Sequence, residues 1–160
     1  MADEVEIQVL PETRVAYMRY VGPYGSPRIV DLWRHFGFWC ERQGLNSPRR
    51  QMFGIAQDNP NITPPGRTRY DACVQVEGDF QPRDEVGVQT IRGGRYACTP
   101  FTGTATEIRP AWIRFLTRTL PEAGLQSDLA PAIEVFAPDL VVDPTTGGFS
   151  CRLCMPLRSG

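Results

Sequence analysis

The sequence predicts an α+β fold built from two tandem strand–helix–strand–strand repeats that are related by a pseudo-twofold axis. Three observations predict it. Segment 5–22 aligns without a gap on segment 86–103, a Trp-x-x-Phe motif in a helical pattern follows each segment, and each helical pattern ends at a Gly-Leu pair. Such self-similarity marks a repeated structural unit. We expect repeat one over about 5–77 and repeat two over about 86–157, within a single domain that covers residues 1–160.

The strands are predicted from the spacing of apolar residues. Residues 5–10 alternate apolar and polar side chains, which is the period of a strand with one covered face. Residues 15–20 either pair back with this strand or continue it past a short turn. Two further strand-like stretches follow each helix: 51–57 and 69–76 in the first repeat, and 132–137 and 149–155 in the second. We expect these strands to form one antiparallel sheet.

Two amphipathic helices are predicted to flank this sheet. Ser26 can cap the first helix, and Pro27 suits its first position, where no backbone donor is needed. The second helix is expected over about 106–120, with Pro110 in or near its first turn. The apolar stripes at helical spacing are Ile29, Leu32, Trp33, Phe36 and Cys40 in the first helix and Ile108, Ala111, Trp112, Phe115 and Thr119 in the second. The groove between the helices and the sheet is the natural ligand cleft.

The composition restricts the class of protein. Hydrophobic residues make up 41% of the chain and charged residues 22%, as in ordinary globular proteins. No apolar run approaches the roughly 20 residues of a membrane helix, and the acidic segment 1–4 is unlike a signal peptide. Five cysteines, an odd number, predict reduced thiols. A net charge of −1 argues against direct nucleic-acid binding. We therefore expect a cytoplasmic protein that contacts neither membrane nor nucleic acid.

The remaining motifs indicate no cofactor and no metal. His35 is the single histidine, which excludes a multi-histidine metal site and a histidine-centred triad. Cys151 and Cys154 are three residues apart on a predicted strand, so their side chains point to opposite faces and cannot easily share an ion or a disulfide. Gly93-Gly94 is typical of a turn between strands, since no helix follows it directly.

Several segments together resemble the GyrI-like family, which includes bacterial DNA gyrase inhibitor proteins and the effector-binding domains of AraC-type and MerR-type regulators. The segments that carry the resemblance are Val21-Gly22-Pro23, Asp58-Asn59-Pro60, Arg69-Tyr70-Asp71, Gly93-Gly94-Arg95-Tyr96-Ala97, Leu120-Pro121 and Pro131-Ala132-Ile133-Glu134-Val135-Phe136. The resemblance extends over about 5–157 and is closer to the gyrase-inhibitor branch. One departure is that Phe136 stands where the family has a tyrosine in a Glu-x-Tyr motif. A second is that Thr119 replaces an aromatic residue often found before Leu-Pro.

Glu134 is the principal candidate for the site. Periodicity alone would allow a solvated glutamate on an open sheet face, but the resemblance implies a carboxylate at the base of a cleft that binds cationic, lipophilic compounds. The position corresponding to Glu134 in the first repeat is near Gly54, so the carboxylate breaks the symmetry. The aromatic candidates for the walls of the cleft are Trp33, Phe36, Trp112, Phe115, Tyr17, Tyr70 and Phe136, although such residues more often belong to the core.

Three functions remain open from the sequence. The leading hypothesis is a small-molecule-binding protein for amphipathic, cationic compounds, which senses or sequesters them through Glu134. The first alternative is a hydrolase of cyclopropanoid or other electrophilic compounds. The resemblance implies it, because some family members hydrolyse strained cyclopropanoid compounds with a carboxylate flanked by tyrosine and tryptophan, and Glu134 would then be catalytic. The two departures weaken that alternative. The second alternative is a protein that modulates DNA gyrase through a surface contact.

Overall fold

The computed structural model describes residues 4–46, 50–137 and 142–158. Within these ranges the chain forms one sheet and a few helices. In chain order the strands and helices are β1 Glu6–Leu10, β2 Thr13–Val21, α1 Pro27–Arg42, β3 Met52–Ala56, β4 Arg69–Gln75, β5 Gly87–Ile91, β6 Gly94–Gly103, α2 Ile108–Arg114, α3 Leu120–Glu122, β7 Ala132–Phe136 and β8 Phe149–Pro156. A 3-10 turn at Pro65–Arg67 precedes β4, and a π-helical turn at Phe115–Thr119 joins α2 to α3.

The sheet is antiparallel, and its strand order shows the duplication. The order is β1-β6-β8-β7-β3-β4-β2-β5, and each strand of the first repeat has its counterpart at the mirrored place in the order. The pseudo-twofold axis therefore passes between β3 and β7, where Gly54 lies directly opposite Glu134. The α+β fold with pseudo-twofold symmetry, predicted from the repeat, is confirmed.

The first strand of each repeat pairs with the other repeat. β1 pairs with β6, and β5 pairs with β2. The possibility that residues 15–20 pair back with the first strand is therefore wrong, because β2 has β4 and β5 as its neighbours. Pro11 and Glu12 form the short turn past which the chain continues. This exchange of strands joins the two repeats into one continuous sheet.

The capping predicted for α1 is confirmed. The Ser26 hydroxyl accepts a hydrogen bond from the Arg28 amide at 3.2 Å, and Pro27 occupies the first helical position. The second helix begins at Ile108 rather than near 106, and its middle is a π-helical turn instead of regular α-helix. The helix of the second repeat is thus more irregular than the sequence pattern predicts.

Both helices cover the same face of the sheet. Phe36, Trp39 and Cys40 of α1 are buried against the β2 and β4 side of this face. The predicted stripe of α1 contained Phe36 and Cys40 but not Trp39, which packs on Phe80 and donates a hydrogen bond to Asp84. On the α2 side the predicted stripe is confirmed, because its five residues are buried or partly buried there.

The opposite face of the sheet encloses a second hydrophobic cluster. Leu10 of β1 and Ile91 of β5 both belong to it, although their strands lie at opposite ends of the order. The sheet must therefore curl so that its two ends approach each other. Among the described residues, no helix is both long and apolar enough to cross a membrane.

A polar network surrounds a buried carboxylate on β4. Asp71 is fully buried and accepts two hydrogen bonds from Arg19, at 2.8 and 2.9 Å. The side-chain amides of Gln57 and Gln89 each donate to the same carboxylate at 2.9 Å. The hydrogen bond to Asp71 raises the pKa of the Arg19 guanidinium above its usual value. Because the buried charge is both paired and hydrogen-bonded, this network is compatible with a stable fold.

Candidate functional site

Glu134 lies at the middle of β7, on the face of the sheet that the helices cover. Alternation along the strand places Ile133 and Val135 in the cluster on the curled face, so Glu134 and Phe136 point to the helices. The Glu134 side chain is only 7% exposed. It is therefore a buried carboxylate rather than a solvated residue on an open face.

Both carboxylate oxygens of Glu134 accept hydrogen bonds. The Tyr70 hydroxyl, from β4, donates to Oε1 at 2.7 Å. The Trp112 indole, from α2, donates to Oε2 at 3.0 Å. The carboxylate is thus held between a strand of the first repeat and a helix of the second.

Trp33 completes the group from the opposite helix. Its indole Nε1 donates to the Tyr70 hydroxyl oxygen at 3.1 Å. The hydrogen bonds therefore run from α1 through Tyr70 to Glu134, and a further one joins Glu134 to α2. We call these four residues, Trp33, Tyr70, Trp112 and Glu134, the Glu134 cluster. Its two tryptophans occupy corresponding positions of the two repeats, as the repeated Trp-x-x-Phe motif predicted.

Gly54 provides the space in which Tyr70 meets Glu134. It lies opposite Glu134 in the register of β3 and β7 and opposite Ala72 in that of β3 and β4. A Cβ atom at position 54 would clash with the Tyr70 hydroxyl group and lie 2.6 Å from Glu134 Oε1. Only a residue without a side chain permits this hydrogen bond.

The neighbours of Glu134 that bond to its oxygens are neutral hydrogen-bond donors. Among the described residues, none of the arginines nor His35 forms an ion pair with it. Burial raises the pKa of Glu134 above its ordinary value, while the hydrogen bonds from Tyr70 and Trp112 oppose this shift. Burial, together with the Glu134 charge, raises the pKa of Tyr70 well above its usual value, so Tyr70 remains a proton donor.

Aromatic rings surround the Glu134 cluster. The Trp33 ring contacts Phe136 edge-on, with ring centroids 5.1 Å apart, and Phe136 lies 6.0 Å from Phe149. Phe36 is fully buried and packs on Trp33, whereas Phe115 is 1% exposed and packs beside Trp112. These two phenylalanines lie behind the tryptophans and belong to the core. Phe136, from β7, also contacts the cluster through Trp33.

The structure does not bring Tyr17 to this group. The side chains of Ala16 and Met18 face α1, so Tyr17 points to the other face of β2 and adjoins the cluster on the curled side. There its ring lies under the Arg19 guanidinium, 5.2 Å from the ring centroid. Of the residues that the sequence suggested, Glu134, Tyr70, Trp33 and Trp112 are in hydrogen-bond contact.

Two features of the site were not deduced from the sequence. Phe136 lacks the hydroxyl of the Glu-x-Tyr motif that the resemblance implies, but Tyr70 supplies a phenol to Glu134 from a strand two places away in the sheet. The second feature is the spatial role of Gly54. Its correspondence with Glu134 in the repeat was visible, yet only the strand register shows that the two residues face each other.

The described part of the chain contains no group of three or more histidine, cysteine, aspartate or glutamate side chains placed to hold a metal ion. Cys151 lies in the cluster under α2 and Cys154 in the cluster on the curled face. Their side chains therefore point to opposite faces, as predicted from their spacing.

Substitution of Gly54 tests the geometry of the cluster. Gly54→Ala forces Tyr70 and Glu134 apart, and we expect a loss of unfolding free energy of about 1–3 kcal/mol, as for other overpacked sites. Gly37→Ala is the matched control. It lies inside α1 with nothing within 4 Å of an added Cβ, so we expect a gain of about 0.5–1 kcal/mol. Denaturant unfolding followed by tryptophan fluorescence measures both changes, and unaltered stability of Gly54→Ala would contradict this geometry.

Comparison with known proteins gives the family of the chain. The model of the GyrI-like small molecule binding domain matches residues 3–158. The SPbeta prophage-derived protein YosT of Bacillus subtilis (strain 168) is 35% identical over 157 residues, which cover 97% of this chain and 99% of YosT. A DNA gyrase inhibitor of Cronobacter turicensis is 31% identical over 129 residues, which cover 79% of this chain and 80% of that protein.

Two solved structures share the fold at low sequence identity. The C-terminal domain of EcmrR has a TM-score of 0.75 at 14% identity, with full coverage of both chains. SAV2435, solved with bound tetraphenylphosphonium, has a TM-score of 0.58 at 13% identity and covers 98% of this chain and 94% of that one. The family match over nearly the whole sequence, together with this shared fold, shows that the chain belongs to the GyrI-like small-molecule-binding domain family.

Proposed function

We propose that this protein binds amphipathic, cationic small molecules and that Glu134 is the carboxylate that recognises their charge. The observation that carries the proposal is a carboxylate, 7% exposed, that has no cationic partner among the described residues. A buried charge of this kind costs several kcal/mol of solvation free energy. A ligand cation would restore part of that energy.

The aromatic surroundings suit such a ligand. A cation held over the face of a tryptophan, tyrosine or phenylalanine gains about 0.5–2 kcal/mol per contact, and most when water is excluded. Trp33 and Trp112 are half-buried and reach the cluster from α1 and α2. Their indoles are thus the groups that an entering ligand would meet first, and we propose that they rotate away from Tyr70 and Glu134 to form its walls.

The hydrogen bonds of Glu134 indicate which cations fit best. Both of its oxygens already accept a hydrogen bond from a neutral donor. A quaternary cation without N–H groups can be attracted by the carboxylate charge without displacing these donors, whereas a protonated amine would compete with them. Tetraphenylphosphonium, the ligand bound by the structural neighbour SAV2435, is such a cation and is therefore a suitable probe.

The first prediction concerns the charge of Glu134. Glu134→Gln keeps the size of the side chain but removes its charge, so we expect tetraphenylphosphonium to bind at least about 30-fold more weakly, on the order of 2 kcal/mol. Titration calorimetry or quenching of tryptophan fluorescence measures this change. Glu122→Gln, at an exposed position of α3, is the control and is expected to bind like the wild type. Equal affinity of the wild type and Glu134→Gln would refute the proposal.

The second prediction concerns pH. Because burial raises the pKa of Glu134 in the free protein, a larger share of the molecules carries a neutral Glu134 at mildly acidic pH. Tetraphenylphosphonium has no titratable group, so its affinity should rise as the pH rises through this pKa and then level off. Binding should release protons over the same range. The unfolding free energy of the ligand-free protein should instead fall as the pH rises through this pKa. A carboxyl group whose pKa is raised in the folded state stabilises the fold at low pH, and this contribution is lost as the pH rises.

Calorimetry in buffers of different ionisation enthalpy measures the proton release, and Glu134→Gln serves as the control with no expected pH dependence from this site. A wild-type affinity that stays constant or falls as the pH rises would contradict the assignment of Glu134.

A second candidate function is hydrolysis of strained or electrophilic compounds such as cyclopropanoids. One observation favours it: Glu134 is flanked by a tyrosine and by tryptophans, although two family positions for such partners are changed in the sequence. A carboxylate with a raised pKa is suited to take a proton from an attacking water, and a neutral phenol can donate a hydrogen bond to the departing group.

Incubation with a cyclopropanoid compound tests this candidate. A hydrolase should yield a product heavier by one water molecule, as measured by mass spectrometry, with the wild type and with Glu122→Ala but not with Glu134→Ala. Tetraphenylphosphonium binding without any hydrated product would support binding alone. Action on DNA gyrase is suggested by the names of relatives, and no geometry in the described part of the chain adds to that suggestion.

A further inference from the structure

Two of the five cysteines lie directly opposite each other in the sheet. Cys98 of β6 is in register with Cys154 of the antiparallel strand β8. Both side chains belong to the hydrophobic cluster on the curled face, where they are 2% and 0% exposed. Register partners in antiparallel strands have Cα atoms about 4.5 or 5.5 Å apart, and disulfides span about 4.4–6.8 Å. The strand register thus places the two Cα atoms within the range of separations that a disulfide spans.

No other cysteine in the described ranges has a thiol opposite it. Cys73 belongs to the same cluster but is in register with Tyr17 on one side and Phe53 on the other. Cys40 is on α1 in the cluster between that helix and the sheet, and Cys151 points to the other face of β8. The pairing of thiols is therefore specific to one position of the second repeat.

From this juxtaposition we infer that Cys98 and Cys154 form a reversible disulfide when the protein meets an oxidant of the hydrogen peroxide class. The inference is independent of the proposed ligand-binding function. It adds a redox modification site on the face of the sheet opposite the Glu134 cluster.

The surroundings make Cys98 the reactive thiol of the pair. A hydrogen bond from Cys154 lowers the pKa of Cys98, against the effect of burial, and the positive charge of Arg152 lowers it further. The same hydrogen bond raises the pKa of Cys154. A thiolate is the nucleophilic form of cysteine, so Cys98 is the group that attacks the oxidant and Cys154 is the group that resolves the intermediate.

The reaction balances with one molecule of peroxide. The Cys98 thiol loses its proton, and the resulting thiolate attacks one peroxide oxygen. The O–O bond breaks, a sulfenic acid forms, and the departing hydroxide takes up the proton that Cys98 lost to become the first water. The Cys154 sulfur then attacks the Cys98 sulfur, the S–O bond breaks, and the proton of Cys154 leaves with the oxygen as the second water. The two sulfurs together lose two electrons, which reduce the peroxide, and a dithiol reductant reverses the change.

The edge of the sheet gives the oxidant a path to Cys98. β1 is the terminal strand of the sheet, is mostly exposed, and places Glu6 opposite Cys98. Terminal strands open locally more readily than central ones. Transient opening of β1 would therefore expose Cys98 without unfolding of the core.

The test is a peptide map of the folded, full-length chain after treatment with hydrogen peroxide and alkylation of the remaining thiols. We expect a loss of two hydrogen atoms in the intact mass, a single cross-linked peptide that joins positions 98 and 154, and recovery of both thiols with dithiothreitol. Cys98→Ser and Cys154→Ser should abolish the cross-link. Cys73→Ser, at an equally buried position of the same cluster, should retain it.

The peptide map of the wild-type protein tests the inference even if a serine variant fails to fold. Protein that keeps both thiols free, that oxidises them separately to sulfinic acids, or that links Cys98 or Cys154 to another cysteine while still folded would overturn it.

Discussion

The central constraint of the structure is a buried carboxylate, Glu134, that has no cationic partner in the described part of the chain. Glu134 is held by two neutral donors, the Tyr70 hydroxyl and the Trp112 indole. These hydrogen bonds offset part of the solvation that burial removes, but they do not neutralise the charge. We propose that the site is adapted to a positive ligand. The hydrophobic clusters on both faces of the sheet provide the stability that permits a buried acid with no cationic partner among the described residues.

The duplicated fold explains how one acid can be placed on an axis of pseudosymmetry. The axis passes between β3 and β7, so equivalent positions of the two repeats face each other there. A large side chain at both positions would not fit, and the chain has glutamate on one strand and Gly54 on the other. The equivalent helices, by contrast, both keep a tryptophan. The two tryptophans of the Glu134 cluster thus keep the symmetry of the repeats, whereas the facing positions of β3 and β7 do not.

The sequence predicted the architecture well because the repeat and the apolar periodicities are local signals. Trp33 and Trp112 were identified from the same patterns, whereas Glu134 was singled out by the family resemblance. The partnership of Tyr70 with Glu134 was not, since it depends on which strands become neighbours in the sheet. The same limit explains why Tyr17 was a candidate for the cleft although it lies on the other face of the sheet. Its place on a strand was predicted, but the face that it occupies was not. It also explains why the pairing of Cys98 with Cys154 became visible only with the register of β6 and β8.

The most direct test of this account is the pKa of the Glu134 carboxyl group itself, measured by carbon NMR on protein labelled at the glutamate side-chain carboxyls. Glu134→Gln identifies the resonance by its loss. The account predicts a pKa above the ordinary glutamate value in the free protein and a fall in that pKa when tetraphenylphosphonium is added. An ordinary or depressed pKa that does not change with the cation would contradict the claim that this acid is buried to receive a positive charge.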